Sequence, residues 1–264
     1  MRLTPVALYS GSPMSTHFRL FPLSLTARTV RTQLLRQLLV MLSALYLAGC
    51  ATFGAGSSST GVLNDASASV SELLAAAEQA TDELRYSQAA RLLVRASVLT
   101  DDEEIVEQAA QQCYALQQHR ATLEIAQRWL KINPTNLDAR EYATLSAIRL
   151  YQVDVAAEHL RVLLEQGYIT PAAGFLDWLN KLPSADEHAA LAVMKQVVLS
   201  YPKMAEAHYA VARLAELTDD FALMMTAARR AQELAPYWSP AGLLLAKSYL
   251  LQGQAEEAMQ IAQA

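Results

Sequence analysis

Few side chains in this chain could do chemistry, and their spacing argues against most kinds of it. Four histidines lie beyond residue 50: His119, His159, His188 and His208. None belongs to an HExxH pair, which would put two metal ligands on one helix face. Glu158-His159 and Glu187-His188 are sequence neighbours, and neighbouring side chains on a helix diverge. They read as solvated or rim residues, so no metal and no cofactor is expected. Cys113 has no partner cysteine at CxxC spacing and no base beside it, so it reads as an inert buried thiol. GxSxG, P-loop and GxGxxG motifs are missing from the sequence. The acidic run Asp101-Asp102-Glu103-Glu104 reads as a helix start, where carboxylates favour the positive end of the dipole. A site for a metal or a basic partner is the alternative. Trp129, Trp178 and Trp238 fall at packing or turn positions. These residues point away from an enzyme.

The other cysteine stands in a different setting. Residues 37–48 read QLLVMLSALYLA, an apolar run preceded by arginines. A membrane-spanning helix needs about 20 apolar residues, so this run suits the core of a signal peptide. It leads into Leu47-Ala48-Gly49-Cys50, which resembles a bacterial lipobox. That resemblance implies cleavage before Cys50 and acylation of Cys50, with Leu47, Ala48 and Gly49 fitting the peptidase. Palmitate-type chains would then anchor the protein to a membrane, each buried CH₂ contributing about 0.8 kcal/mol. A buried cysteine behind an anchor helix is the alternative. Ala51 follows the cysteine; in the enterobacterial sorting pattern Asp at that position retains a lipoprotein in the inner membrane. The resemblance therefore implies the periplasmic face of the outer membrane. The leader is long, and Met14 is an alternative start.

The 264 residues are 53% hydrophobic and 18% charged, enough for a sizeable core. Residues 1–49 carry five arginines and no acid, so the body holds 16 basic and 26 acidic groups. An acidic body without basic blocks argues against non-specific nucleic-acid binding. Helix formers dominate. Residues 51–69 are small and polar and read as a flexible tether with a reach of roughly 25 Å.

The elements that must position any site follow a beat. Pro134, Pro202 and Pro236 each follow a helical pattern; the last two are 34 residues apart and the first two 68 apart, with Tyr168 in the slot between. Unit starts at Val70, Glu103, Leu137, Pro171, Ala205 and Ser239 put small residues at the eighth position: Ala77, Ala110, Thr144, Ala212 and Ala246. Ala156 falls at the twentieth position and Ala231 at the twenty-seventh. This pattern resembles the tetratricopeptide repeat, a helix–turn–helix unit. The fourth unit departs, with Trp178 at the eighth position and Pro183 cutting its first helix short. The resemblance implies an all-α, right-handed superhelical solenoid over 70–264, of about six units with the last incomplete at Ala264. A generic helical bundle is the alternative, but it has no reason to keep the beat. The expected domains are a signal peptide over 1–49, lipidated cysteine and linker over 50–69, and the repeats.

In the repeat family, the first helix of each unit lines a concave face. Carried over, those positions give Tyr114; Leu145, Ile148 and Arg149; Phe175 and Leu179; Tyr209 and Arg213; and Leu243, Lys247 and Leu250. Glu107, Glu141, Glu206 and Glu216 flank them. Aromatic and arginine side chains amid apolar ones suit a protein-binding surface. For Leu145, Ile148 and Leu243, packing against the next unit is the alternative. The expected function is a non-enzymatic, lipid-anchored scaffold that docks a protein partner, without nucleic acid or small-molecule substrate. Lipobox, linker and divergent repeats together resemble outer-membrane lipoproteins that dock a carboxy-terminal processing protease. They also resemble pilotins and outer-membrane assembly lipoproteins. Two readings of other classes stay open: an envelope enzyme whose catalytic domain follows Ala264, and a cell-wall protein.

Overall fold

The computed structural model describes residues 61–62, 65–182 and 186–263. The leader, Leu47, Ala48, Gly49, Cys50, Pro183 and Ala264 lie outside the described residues. Those described hold twelve α-helices and no strand. They run in pairs: α1 (Val70–Asp82) and α2 (Tyr86–Val98), α3 (Glu103–Ala115) and α4 (His119–Ile132), α5 (Leu137–Arg149) and α6 (Val153–Gln166), α7 (Pro171–Lys181) and α8 (Glu187–Val197), α9 (Ala205–Leu217) and α10 (Phe221–Leu234), α11 (Ser239–Leu251) and α12 (Ala255–Gln263). The first helices begin 33 residues apart once and 34 apart thereafter, and the second helices do the same. The architecture is thus the all-α solenoid of tetratricopeptide-like helix pairs. The tether ends earlier than the sequence suggests. Val62 and Ala68 are buried against the body, and Arg95 Nη1 donates to the Val62 carbonyl at 3.1 Å.

Five of the six turns inside pairs are built the same way; that between α7 and α8 lies partly outside the described residues. The fifteenth residue of the unit takes a left-handed conformation: Leu84, Gln117, Tyr151, Asp219 and Gly253, with φ between 56° and 77°. Its N–H bonds the carbonyl three residues back, as Tyr151 does to Ile148 at 3.0 Å. The next N–H reaches five residues back, as Gln152 does to Ala147 at 2.8 Å. This double closure satisfies the last carbonyls of the helix. Glycine adopts this conformation without strain, and only the last of the five is glycine.

The columns of the repeat form the core. At the eighth position Ala77, Ala110, Thr144, Trp178, Ala212 and Ala246 are buried. So are Ala89, Thr122, Ala156, Ala190, Met224 and Ala258 at the twentieth. At the twenty-seventh, Ala96, Trp129, Leu163, Val197 and Ala231 are buried as well. Small residues let helix backbones approach, and the larger ones fill the space between units. The fourth pair is the exception. α7 packs on α6 and α9, and α8 packs on α5, α6 and α9, but α7 and α8 make no comparable approach to each other. The buried indole of Trp178 stands where the other units have Ala or Thr. α7 is short because Leu182, held extended at φ −69°, ψ 121°, precedes a proline, and the proline ring disfavours helix at that residue.

Tyr151 is 65% exposed, so its ring contributes little packing. A left-handed non-glycine residue costs about 1–2 kcal/mol, and glycine's extra freedom in the unfolded chain offsets part of the gain. Tyr151→Gly should therefore raise the unfolding free energy by about 0.5–1 kcal/mol, whereas Tyr151→Ala should not. Urea titration of the two variants checks this.

Candidate functional site

The first helices present a strip of side chains at recurring positions. Between α3 and α5 the strip opens into a cavity of about 350 Å³, lined by Glu107, Gln111, Tyr114, Asp138, Glu141, Tyr142 and Leu145. The rings of Tyr114 and Tyr142 meet edge to face, 5.4 Å apart, and Tyr114 meets His119 likewise at 5.8 Å. Burial raises the Tyr142 hydroxyl above its ordinary pKa, and the charges of Asp138, Glu107 and Glu141 raise it further. Three carboxylates therefore surround this ring.

On the α7 side of Glu141 the strip carries its own cation. Lys181 Nζ donates to Glu141 Oε2 at 2.8 Å and lies 3.4 Å from Asp177 Oδ2, with its ammonium 5.6 Å from the centre of the Trp178 ring. Burial opposes the charge on Lys181, but Glu141 and Asp177 outweigh it and hold the ammonium above its ordinary pKa. The Tyr168 hydroxyl donates to Asp177 at 2.5 Å. Burial and that bond push its pKa up to about 12.

The remaining strip residues divide sharply. Arg149 pairs with the nearly buried Asp186 at 2.6 Å, tying α5 to the residue that precedes α8. Arg213 and Lys247 both pair with Glu216, which links α9 to α11. Tyr209 is half-buried against the Trp238 ring, with centroids 4.9 Å apart. Leu243 and Leu250 face solvent, 64% and 58% exposed. Three strip assignments need correcting. Ile148 and Phe175 are fully buried and Leu145 is 8% exposed, so they belong to the core. The reason is that α5 and α7 are covered by neighbours on both sides, and Phe175 meets the Tyr201 ring at 5.2 Å. Asp138 at the second position of its unit and Tyr142 at the sixth line the cavity in their place, and the carried-over positions named neither.

Most of the other reactive side chains are occupied by packing. Cys113 is buried, which pushes its thiol up to about 12. Burial lowers the pKa of His159, with Arg140 adding to it, and burial likewise lowers that of His119, where Arg149 adds and Asp186 opposes. His208 Nε2 lies 3.1 Å from the Pro202 carbonyl, and His188 is exposed. Among the described residues no group of His, Cys, Asp and Glu could hold a metal ion. No described helix is long and apolar enough to cross a membrane.

No family model matches the chain, and no curated protein matches it. Solved structures that it resembles include MamA from Desulfovibrio magneticus RS-1, at 13% identity over 74% of this chain and 91% of that one, with a TM-score of 0.32. A MamA from AMB-1 matches at 16% identity over 74% of this chain and 88% of that one, with a TM-score of 0.31. Likeness of this size carries no functional meaning, and the fold stands on the helix pairs themselves.

The acidic run opens α3. Asp102 caps the helix by accepting from the Glu104 N–H at 3.1 Å, and Asp101 pairs with Arg128. Glu103 reaches from α3 to the end of α4 and the turn that follows, within its own unit. It accepts from Trp129 Nε1 at 2.7 Å, Asn133 Nδ2 at 3.0 Å and Asn136 Nδ2 at 2.7 Å. These three donors, the indole first, hold its carboxyl below the ordinary 4.5. A carboxyl lowered by folding stabilises fully above its unfolded pKa, and that contribution is lost as pH falls through the folded pKa. Glu103→Gln should therefore lower the melting temperature at pH 7. It should also shrink the loss of stability between pH 5 and pH 3, which thermal melts across that range measure.

Proposed function

We propose that this chain is a lipid-anchored adaptor that docks a partner protein along its first-helix strip, on the periplasmic face of the outer membrane, with no chemistry of its own. One observation carries the binding part. The interior columns of every unit are filled, yet the same helices keep Tyr114, Tyr142, Glu107, Asp138, Leu243 and Leu250 at least partly open to solvent, at the second, fifth, sixth and twelfth positions of their units. Aromatic and apolar groups bordered by charge are what binding surfaces use. The tetratricopeptide resemblance makes this face concave, which suits an extended segment or a helix.

The anchor rests on Leu47-Ala48-Gly49-Cys50, and the outer-membrane address on Ala51. Lipobox and repeats together favour a partner among envelope proteins, a periplasmic protease included. A photoreactive residue placed at Gln111 or Leu243 should form a discrete adduct in cells, and one at Glu124 or Asp154 on the second helices should not. Adducts only from the second helices would contradict the docking reading. Cys50→Ala should abolish incorporation of a labelled fatty acid and leave unprocessed precursor; label retained in the variant would contradict the anchor.

A further inference from the structure

The cavity between α3 and α5 and the neighbouring slot between α5 and α7 are equivalent places one unit apart; the fifth-position glutamate recurs, but the cation beside it does not. In the α5–α7 slot, Lys181 at the eleventh position of its unit supplies an ammonium to Glu141 at the fifth position of the unit before. One unit earlier, the eleventh position is Ala147 and the fifth is Glu107. Ala147 cannot reach across, and among the described residues Glu107 and Asp138 make no ion pair; Glu107 accepts from Gln111 Nε2 at 2.9 Å. What remains is an open space of about 350 Å³ with two carboxylates lacking a base and two tyrosine rings beside them.

We propose that this cavity takes a lysine or arginine side chain from an extended segment of the partner protein. Glu107 and Asp138 pair with the cation, and Tyr114 and Tyr142 flank it. The inference rests on the first-helix strip being the docking face. Three features select the occupant. The carboxylates supply a charge opposite to that of a cation. Aromatic rings attract cations through their faces and accept them with little loss of flexibility. Lys181 shows that the same fifth-position glutamate one unit on, Glu141, already takes an ammonium, there beside Asp177 and the Trp178 ring. The cavity suits one long side chain rather than a folded domain. Beyond it the strip turns net positive, because Arg213 and Lys247 share the single carboxylate of Glu216. The basic side chain therefore fixes where along the strip a segment sits.

The test uses the full chain and a fluorescein-labelled peptide, acetyl-GSGKRKGSG-amide, with its glutamine counterpart GSGQQQGSG, read by anisotropy at about 0.1 M salt. The basic peptide should bind and the neutral one should not. Glu107→Gln with Asp138→Asn should weaken binding about tenfold or more, whereas Glu124→Gln with Asp154→Asn, an equal change of net charge on the second helices, should weaken it less than about twofold. Gln111→Lys, which places an internal ammonium in the cavity, should block the peptide as the first pair does. Equal losses from the two pairs would reduce the effect to net charge and overturn the proposal. No binding of the basic peptide to the parent chain, or unchanged binding to the Gln111→Lys variant, would also overturn it. If photoreactive Leu243 captures a partner while the basic peptide fails, the scaffold reading stands and this inference alone falls. If neither Gln111 nor Leu243 captures a partner, the scaffold reading falls as well.

Discussion

The close approach of two helices at small residues is the constraint on which the rest of this protein depends. An alanine or threonine at the eighth position and a small or slender residue at the twentieth allow each pair to close, and all of them are buried. Once a pair closes, its turn must fit, and the left-handed fifteenth residue with its double hydrogen bond supplies the fit. Once turns and pairs repeat, first helices stack on first helices, and the positions left over become one continuous strip. A large residue breaks the sequence of consequences at its first step, as the fourth unit shows. There Trp178 takes the place of a small residue, α7 and α8 fail to close on each other, and the neighbouring units α5–α6 and α9–α10 hold the pair in place instead.

The strip that results is not uniform. Toward α3 and α5 it is acidic and tyrosine-lined. Around α9 and α11 two cations, Arg213 and Lys247, share the one carboxylate of Glu216, and leucines at 243 and 250 face solvent. Charged rims steer encounters and set register more than they add affinity, whereas aromatic and apolar patches supply the binding energy. A strip with both in sequence can fix the direction of a bound segment as well as hold it.

Much of the fold was legible from the sequence because the beat is carried by residue size and by prolines, which single positions reveal. Pro134, Pro202 and Pro236 lie just past helix ends, and the alanine columns lie in the interior. What the sequence hid is what depends on three dimensions. Ile148 and Phe175 occupy strip positions, yet neighbouring helices cover them. Arg149 looks free for a partner but answers the buried Asp186, which lies 37 residues further on. Glu103 looks like one of four helix-start acids, yet it gathers three donors from the next helix and turn. The left-handed turns went unseen because four of the five carry Leu, Gln, Tyr or Asp in place of glycine.

If stability comes from neighbouring pairs closing and stacking, damage at one close approach must stay local. Hydrogen exchange on an Ala212→Leu variant tests this most directly. Ala212 is fully buried at the eighth position of the α9–α10 unit, and a leucine there overpacks the pair. Protection should fall across α9–α12 and weaken in α7–α8, while α1–α4 exchange as in the parent chain. A single cooperative loss of protection from α1 to α12 would contradict the account and favour a bundle with one shared core.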